Sequence, residues 1–99
     1  MQLLPSHRRV LFALAEGLVL KAHRTLDGTK IYRLHALDGS LHSEVEAVTM
    51  AELKAWKLID SNKKFPAASY LLTEEGRAVA EQILGKPIVS LGARNYVHR

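Results

Sequence analysis

The chain has 99 residues, of which 47% are hydrophobic and 24% charged, a composition typical of one folded domain. It contains no cysteine, which excludes disulfide bonds, thiolate zinc sites and a cysteine nucleophile. The net charge of +4 permits contact with polyanions without requiring it. No apolar run is long enough to span a membrane, and the N-terminal segment lacks the order of a secretory signal. We therefore expect a cytoplasmic protein without a membrane partner.

The first helix is predicted over residues 5–17, where apolar residues recur at helical spacing. Pro5 suits the first turn, in which a missing backbone N–H costs nothing, and Ser6 is an alternative N-cap. Gly17 stands where a left-handed residue commonly ends a helix.

Three antiparallel strands are predicted next, over residues 18–26, 29–37 and 40–45. Two Asp-Gly pairs, at 27–28 and 38–39, separate them and favour two-residue type I′ turns. With such turns, side chains of alternate residues share a face, and the polar face of the first hairpin would consist of Lys21, His23, Thr25, Lys30 and Tyr32. In the second hairpin, His35 would stand opposite His42, with Glu44 close by.

The second half of the chain predicts a short helix, a hairpin and a last helix. Thr49 and Glu52 have the spacing of a capping box, which predicts a helix from Met50 to Leu58. A polar turn over 60–64 then leads to a strand over 69–72.

The last helix is predicted from Glu74 to Leu84, with Thr73 as its N-cap and with Gly85 and Pro87 ending it. We therefore expect one α+β domain over residues 1–87, followed by a C-terminal tail over 88–99.

The segment from Leu53 to Arg77 resembles the ending of many bacterial winged-helix regulators. Its features are Leu58-Ile59, a Lys63-Lys64 loop and the run Tyr70-Leu71-Leu72-Thr73-Glu74-Glu75-Gly76-Arg77. In those families the short helix enters the major groove of DNA and the following hairpin is the wing. The resemblance implies a winged-helix-like domain with an antiparallel β meander inserted between the first and second helices. It also implies DNA binding in a regulatory role.

A longer resemblance, over residues 6–83, is to the YjhX family of small bacterial proteins. It is carried by Leu14-Ala15-Glu16-Gly17, Gly28, Asp38-Gly39-Ser40-Leu41 and the stretch Leu53…Leu58-Ile59-Asp60-Ser61. That family is associated with toxin activity and topoisomerase inhibition. The resemblance therefore implies an alternative function, either a protein-binding module or a toxin-like inhibitor of a nucleic-acid enzyme. The chain departs from the family at residues 63–68 and after Gly85.

The predicted binding surface consists of basic residues and one loop aromatic. They come from the wing loop, the short helix, the first hairpin and the first helix: Lys63, Lys64, Phe65, Lys54, Lys57, Lys21, Lys30, Arg8 and Arg9. The short helix has no Arg, Asn or Gln for base contacts, so we expect contacts to phosphate. The alternative interpretation of the first hairpin is a solvated polar face. The tail is a candidate surface for a homodimer.

The sequence does not predict an enzyme. It has no nucleophile elbow, no phosphate-binding loop and no dinucleotide glycine pattern, so no cofactor is expected either. His35, His42 and Glu44 raise the hypothesis of a metal site, but solvated histidines at a sheet edge are the favoured interpretation and no metal is expected.

Overall fold

The computed structural model describes residues 2–62 and 68–85, which form three helices and a five-stranded antiparallel sheet. The elements in chain order are α1 (Pro5–Ala15), β1 (Val19–Arg24), β2 (Lys30–His35), β3 (Leu41–Val45), α2 (Ala47–Ala55), β4 (Ile59–Ser61), β5 (Ser69–Leu72) and α3 (Glu74–Leu84). The predicted α+β class is confirmed. The predicted loop residues Lys63, Lys64 and Phe65, and the tail over 88–99, lie outside the described residues.

The sheet has the strand order β3-β2-β1-β5-β4 and buries one face against the helices. The alternating side chains on that face are buried, as strand geometry requires. They are Leu20, Ala22, Tyr32, Leu34, Ile59, Tyr70 and Leu72. Val10, Leu11 and Leu14 of α1 join them, with Met50 and Leu53 of α2. The opposite face, called the outer face below, has no buried side chain among the described residues.

The ends of α1 are fixed by local hydrogen bonds. Leu4 is the N-cap residue, and its backbone N–H donates to Nδ1 of His7 at 2.9 Å, so the alternative N-cap Ser6 is wrong. At the other end Gly17 has φ 99° and its N–H donates to the Leu14 carbonyl. This left-handed glycine is the predicted C-terminal cap.

Both predicted two-residue turns are three-residue loops in the structure. In the first, Thr25 N–H donates to the Thr29 carbonyl and Gly28 N–H donates to the Thr25 carbonyl, at 2.9 and 3.0 Å. Gly28 has φ 89°, whereas Asp27 is not at positive φ. A type I turn followed by a left-handed glycine has this geometry, whereas a type I′ turn needs positive φ at both central residues. The second loop has the same pattern of hydrogen bonds.

The extra loop residue shifts the pairing of β1 and β2 by one position, which moves β2 side chains to the other face. Tyr32 turns into the core, where it is 8% exposed, and Arg33 stands opposite Lys21 on the outer face. The predicted polar face of the hairpin is therefore wrong, because Lys30 lies with Tyr32 and away from Lys21 and His23.

The start of α2 also differs from the prediction. The helix spans Ala47–Ala55 with Glu46 as its N-cap. Thr49 lies inside the helix and is 3% exposed, so it does not cap the helix. The carboxylate of Glu52 accepts a hydrogen bond from His7 of α1. The predicted capping box is wrong because a tertiary contact engages Glu52.

The last helix matches its prediction at both ends. Thr73 Oγ1 accepts from Gly76 N–H at 2.9 Å, and Gly85 adopts the left-handed conformation at φ 74°. No helix in the described part of the chain is both long and apolar enough to cross a bilayer.

Candidate functional site

Lys54 of α2 lies beside the β4–β5 hairpin. Its Nζ is 5.6 Å from the centroid of the Tyr70 ring, a distance at which a cation interacts with an aromatic face. Tyr70 stands opposite Ser61, and beyond that pair the backbone of Asn62 still bonds to Ser69. The connection that carries Lys63 and Lys64 therefore starts from the end of the hairpin at which Lys54 lies.

Lys57 ends α2 in a left-handed conformation, with φ 60°. Its N–H donates to the Lys54 carbonyl, and the N–H of Leu58 donates to the Leu53 carbonyl. This is the hydrogen-bond pattern of a Schellman cap, in which glycine normally occupies the left-handed position. Lys57 is exposed, so its ammonium group is free to reach solvent or a ligand.

A depression of about 480 Å³ lies beside the end of α2 and the start of α3 and is lined by side chains of both charge signs. Its charged lining residues are Lys54, Lys57, Asp60, Glu74 and Glu75. Glu74 and Glu75 occupy the first turn of α3, where negative charge is favoured by the helix dipole. The depression is therefore a mixed-charge surface.

The excess positive charge of the chain lies outside the described residues. All ten acidic residues fall within 2–62 and 68–85, together with nine of the fourteen lysines and arginines. The other five basic residues are Lys63, Lys64, Lys86, Arg94 and Arg99. The described part is close to neutral, so a polyanion would be attracted chiefly by the β4–β5 connection and the segment after Gly85.

Of the two predicted arginines of α1, Arg9 has carboxylates nearby. Arg8 and Arg9 are both exposed. Arg9 shares a small depression with Glu44 and Glu46, which lower the local positive potential. Arg9 is thus a weaker phosphate contact than the sequence alone indicates.

The predicted basic residues of the first hairpin are divided between two faces. Lys30 stands opposite Arg24 near the loop, on the same side of the sheet as the core, and is exposed. Lys21 lies on the outer face opposite Arg33, whose Nη2 is 3.4 Å from Glu44 Oε2. The structure does not bring Lys21 and Lys30 together.

Two histidines meet on the outer face, and they are not the predicted pair. The three-residue loop at Asp38-Gly39 places Leu41 opposite His35, and the register shifts only after that pair, so His42 does not stand there and that prediction is wrong. Instead, Nε2 of His35 lies 3.4 Å from Nε2 of His23. Partial burial, and then the charges of His35, Arg33 and Lys21, hold the pKa of His23 below its usual value. The sequence feature that could have indicated this pair is the length of the loop at Asp27-Gly28, because that length sets the pairing of β1 with β2.

A third histidine has a structural position. His7 is 1% exposed, its Nδ1 accepts from Leu4 N–H, and its Nε2–H donates to Glu52 Oε1 at 2.7 Å. Its ring also contacts Trp56 edge-on, with centroids 4.8 Å apart. Both ring nitrogens are satisfied, so His7 joins α1 to α2 and has no free nitrogen for chemistry.

Within residues 2–62 and 68–85, no three side chains of the metal-binding types come together. The chain matches no family model, no curated protein and no solved structure. The winged-helix and YjhX resemblances therefore rest on the residues quoted for them.

Proposed function

We propose that the chain is a nucleic-acid-binding module of winged-helix-like design, in which the β4–β5 hairpin serves as the wing. The observation that supports this most directly is the position of Lys54 next to Tyr70. Lys54 lies at the end of the hairpin from which the Lys63-Lys64 connection starts. Lys63 and Lys64 follow Asn62 directly in the chain, and together with Lys54 they are the proposed contacts to a phosphate backbone.

The contacts of this module are to phosphate and not to bases. The exposed side chains of α2 other than Lys54 are Ala47, Val48, Ala51 and Ala55. None of them can form the paired hydrogen bonds that distinguish base pairs in the major groove. Affinity then depends on released counterions, so binding falls steeply with salt and varies little with sequence.

The charge distribution agrees with this proposal. The described residues are close to neutral, whereas Lys63, Lys64 and the segment after Gly85 add five positive charges and no negative one. Lys21, Lys30, Arg8 and Arg9 are secondary contacts in this proposal, because they lie on separate surfaces or near carboxylates.

The test is a fluorescence anisotropy titration of a mixed-sequence DNA duplex with the full-length protein, repeated over a range of salt. Replacement of Lys63 and Lys64 by alanine should weaken binding to every sequence and lower the salt slope by about two units. The matched control replaces Arg24 and Arg33, which removes the same charge from another hairpin at residues that are not proposed contacts. Equal losses for the two double variants, or no binding of the wild type at low salt, would contradict the proposal.

A protein-binding function is the second candidate, and the apolar surface of α2 favours it. Val48 is 61% exposed, and Ala51 and Ala55 follow it on the exposed surface of a nine-residue helix. A toxin-like inhibitor of a nucleic-acid enzyme would use such a surface. Val48→Asp should then abolish a stoichiometric complex in a pull-down, and it should relieve any growth defect caused by overexpression. Absence of both a complex and a growth defect for the wild type counts against this function.

A further inference from the structure

His23 and His35 project from neighbouring strands onto the outer face of the sheet, on the side opposite the helices. Their Nε2 atoms are 3.4 Å apart and their ring centroids 5.5 Å apart, so the nitrogens approach each other more closely than the rings do. This separation is longer than the roughly 2.7–3.2 Å of an ordinary hydrogen bond to nitrogen. The distance is that of a long N–H···N hydrogen bond, and it also leaves room for one ion bound by both nitrogens.

The separation fits two ligands of one metal ion. Imidazole nitrogens bind zinc at about 2.0–2.1 Å in tetrahedral geometry, which places two of them roughly 3.3–3.4 Å apart. No change in the backbone is needed for His23 and His35 to meet this distance. Both side chains are half-buried, and the described residues leave the outer face open to a solvent-borne ion.

The hydrogen bond at Nδ1 of His35 leaves its Nε2 available to bind a metal ion. Its Nδ1 is 3.3 Å from the carbonyl oxygen of Gly39, which can only accept a hydrogen bond. When Nδ1 donates this hydrogen bond, Nε2 of His35 carries no proton and has a lone pair for a ligand. Histidine ligands in metal sites are commonly held in this way by a backbone carbonyl.

We propose that His23 and His35 form a two-histidine site for a divalent transition-metal ion of the zinc class, with water completing the coordination shell. The site is separate from the lysines of the nucleic-acid proposal. It rests on the 3.4 Å approach of the two Nε2 atoms and on a register that puts His23 and His35 on one face, with the Lys21–Arg33 pair between their positions along the strands.

The charged neighbours predict how the site responds to substitution. Lys21 and Arg33 stand opposite each other on the same face and repel a cation. Glu44, with its Oε2 3.4 Å from Arg33 Nη2, offsets part of that repulsion. Removal of the Lys21 charge should therefore strengthen metal binding, whereas it would weaken binding of an anion to the same face.

The test titrates the full-length protein with zinc chloride and follows the histidine ring signals by NMR, with calorimetry for the affinity. Saturable shifts are expected at His23 and His35. His23→Ala and His35→Ala should each weaken binding by about tenfold or more, and Lys21→Gln should tighten it. His42→Ala is the matched control, a histidine of the same sheet whose loss should leave zinc affinity unchanged.

Each other outcome contradicts the proposal. It is overturned if zinc produces no saturable shift, if the His23 variant binds as tightly as the wild type, or if His42→Ala causes the larger loss. A weaker zinc affinity for Lys21→Gln also overturns it. The amide spectrum of every variant verifies that the fold is retained, so that loss of binding is not loss of structure.

Discussion

Gly76 packs directly against the backbone of Leu58, so closely that a β-carbon on Gly76 would lie 1.9 Å from the Leu58 carbonyl oxygen. The same carbonyl accepts a hydrogen bond from Thr73 N–H, and Thr73 Oγ1 donates to the carbonyl of Lys57 at 2.6 Å. Two hydrogen bonds and one close backbone contact thus hold the first turn of α3 against the residues that follow α2. The glycine of the Tyr70-to-Arg77 run has a packing role in this fold.

Gly76→Ala should destabilise the protein by about 3 kcal/mol or more, because the clash is with backbone that cannot move aside cheaply. Urea unfolding of the purified variant measures the loss. Gly85→Ala is the control: it has open space around it and incurs only the cost of a left-handed alanine, about 1 kcal/mol. Similar losses for the two variants would show that the contact with Leu58 is unimportant.

The contact of His7 with Glu52 supplies a second prediction. Glu52→Ala removes the acceptor of a buried imidazole N–H and should cost about 1–2 kcal/mol, since Glu52 is 43% exposed and water replaces part of the bond. Glu52→Gln keeps an oxygen acceptor and should lose less. Thermal unfolding of the two variants measures the difference. If both variants are as stable as the wild type, the His7 hydrogen bond contributes nothing to stability.

Capping residues that act through hydrogen bonds and conformations within a few residues correctly predicted where helices begin and end. The bounds of β5 and α3 match the prediction, because Thr73 and Gly85 fix the helix ends through their own hydrogen bonds and conformations. The prediction that Gly17 ends α1 in a left-handed conformation is confirmed for the same reason. In each case the capping residue and its hydrogen-bond partner are at most a few positions apart in the chain.

Predictions that depend on contacts between residues far apart in the chain were wrong. The Asp-Gly pair at 27–28 predicts a hairpin, but the pair is compatible with both a two-residue and a three-residue loop. Burial of Tyr32 beside Tyr70, with ring centroids 5.9 Å apart, agrees only with the longer loop. The His23–His35 pair follows from that register and was missed with it.

The capping prediction at Thr49 failed for a related reason. Glu52 bonds to His7, which lies 45 residues earlier in the chain, and no local pattern could show this. The candidate lysines were predictable as basic residues of a short helix. That Lys54 lies near Tyr70 depends on how α2 packs against the sheet.

Lys57 carries a third prediction, because a lysine occupies the left-handed position at the end of α2. This conformation costs a non-glycine residue about 1–2 kcal/mol, and glycine avoids that cost. Lys57→Gly should be more stable than Lys57→Ala by about 1 kcal/mol, although both variants lose the same charge. Urea unfolding of the pair measures this difference. An alanine variant as stable as the glycine variant would exclude strain at this position.

The lowered pKa of Asp27 leads to a fourth prediction, on how the stability of the fold changes at low pH. Hydrogen bonds from the Thr25 hydroxyl, and then from the Thr29 backbone, lower the pKa of Asp27 from 3.8 to about 2. Because the folded-state pKa is the lower one, the ionised carboxylate stabilises the fold above the unfolded pKa. This stabilisation is lost as pH falls from about 4 towards 2. Asp38 bonds to Ser40 in the second loop, and its pKa is lowered in the same direction.

Asp27→Asn should therefore be less stable than the wild type near neutral pH, and the difference should shrink as the pH falls through this window. Asparagine keeps an oxygen acceptor but lacks the charge that strengthens both hydrogen bonds. Thermal midpoints of the two proteins between about pH 6 and pH 2 measure the change. A difference that stays constant over this range would show that the carboxylate of Asp27 titrates alike in the folded and unfolded chains, and Asp38→Asn repeats the test at the second loop.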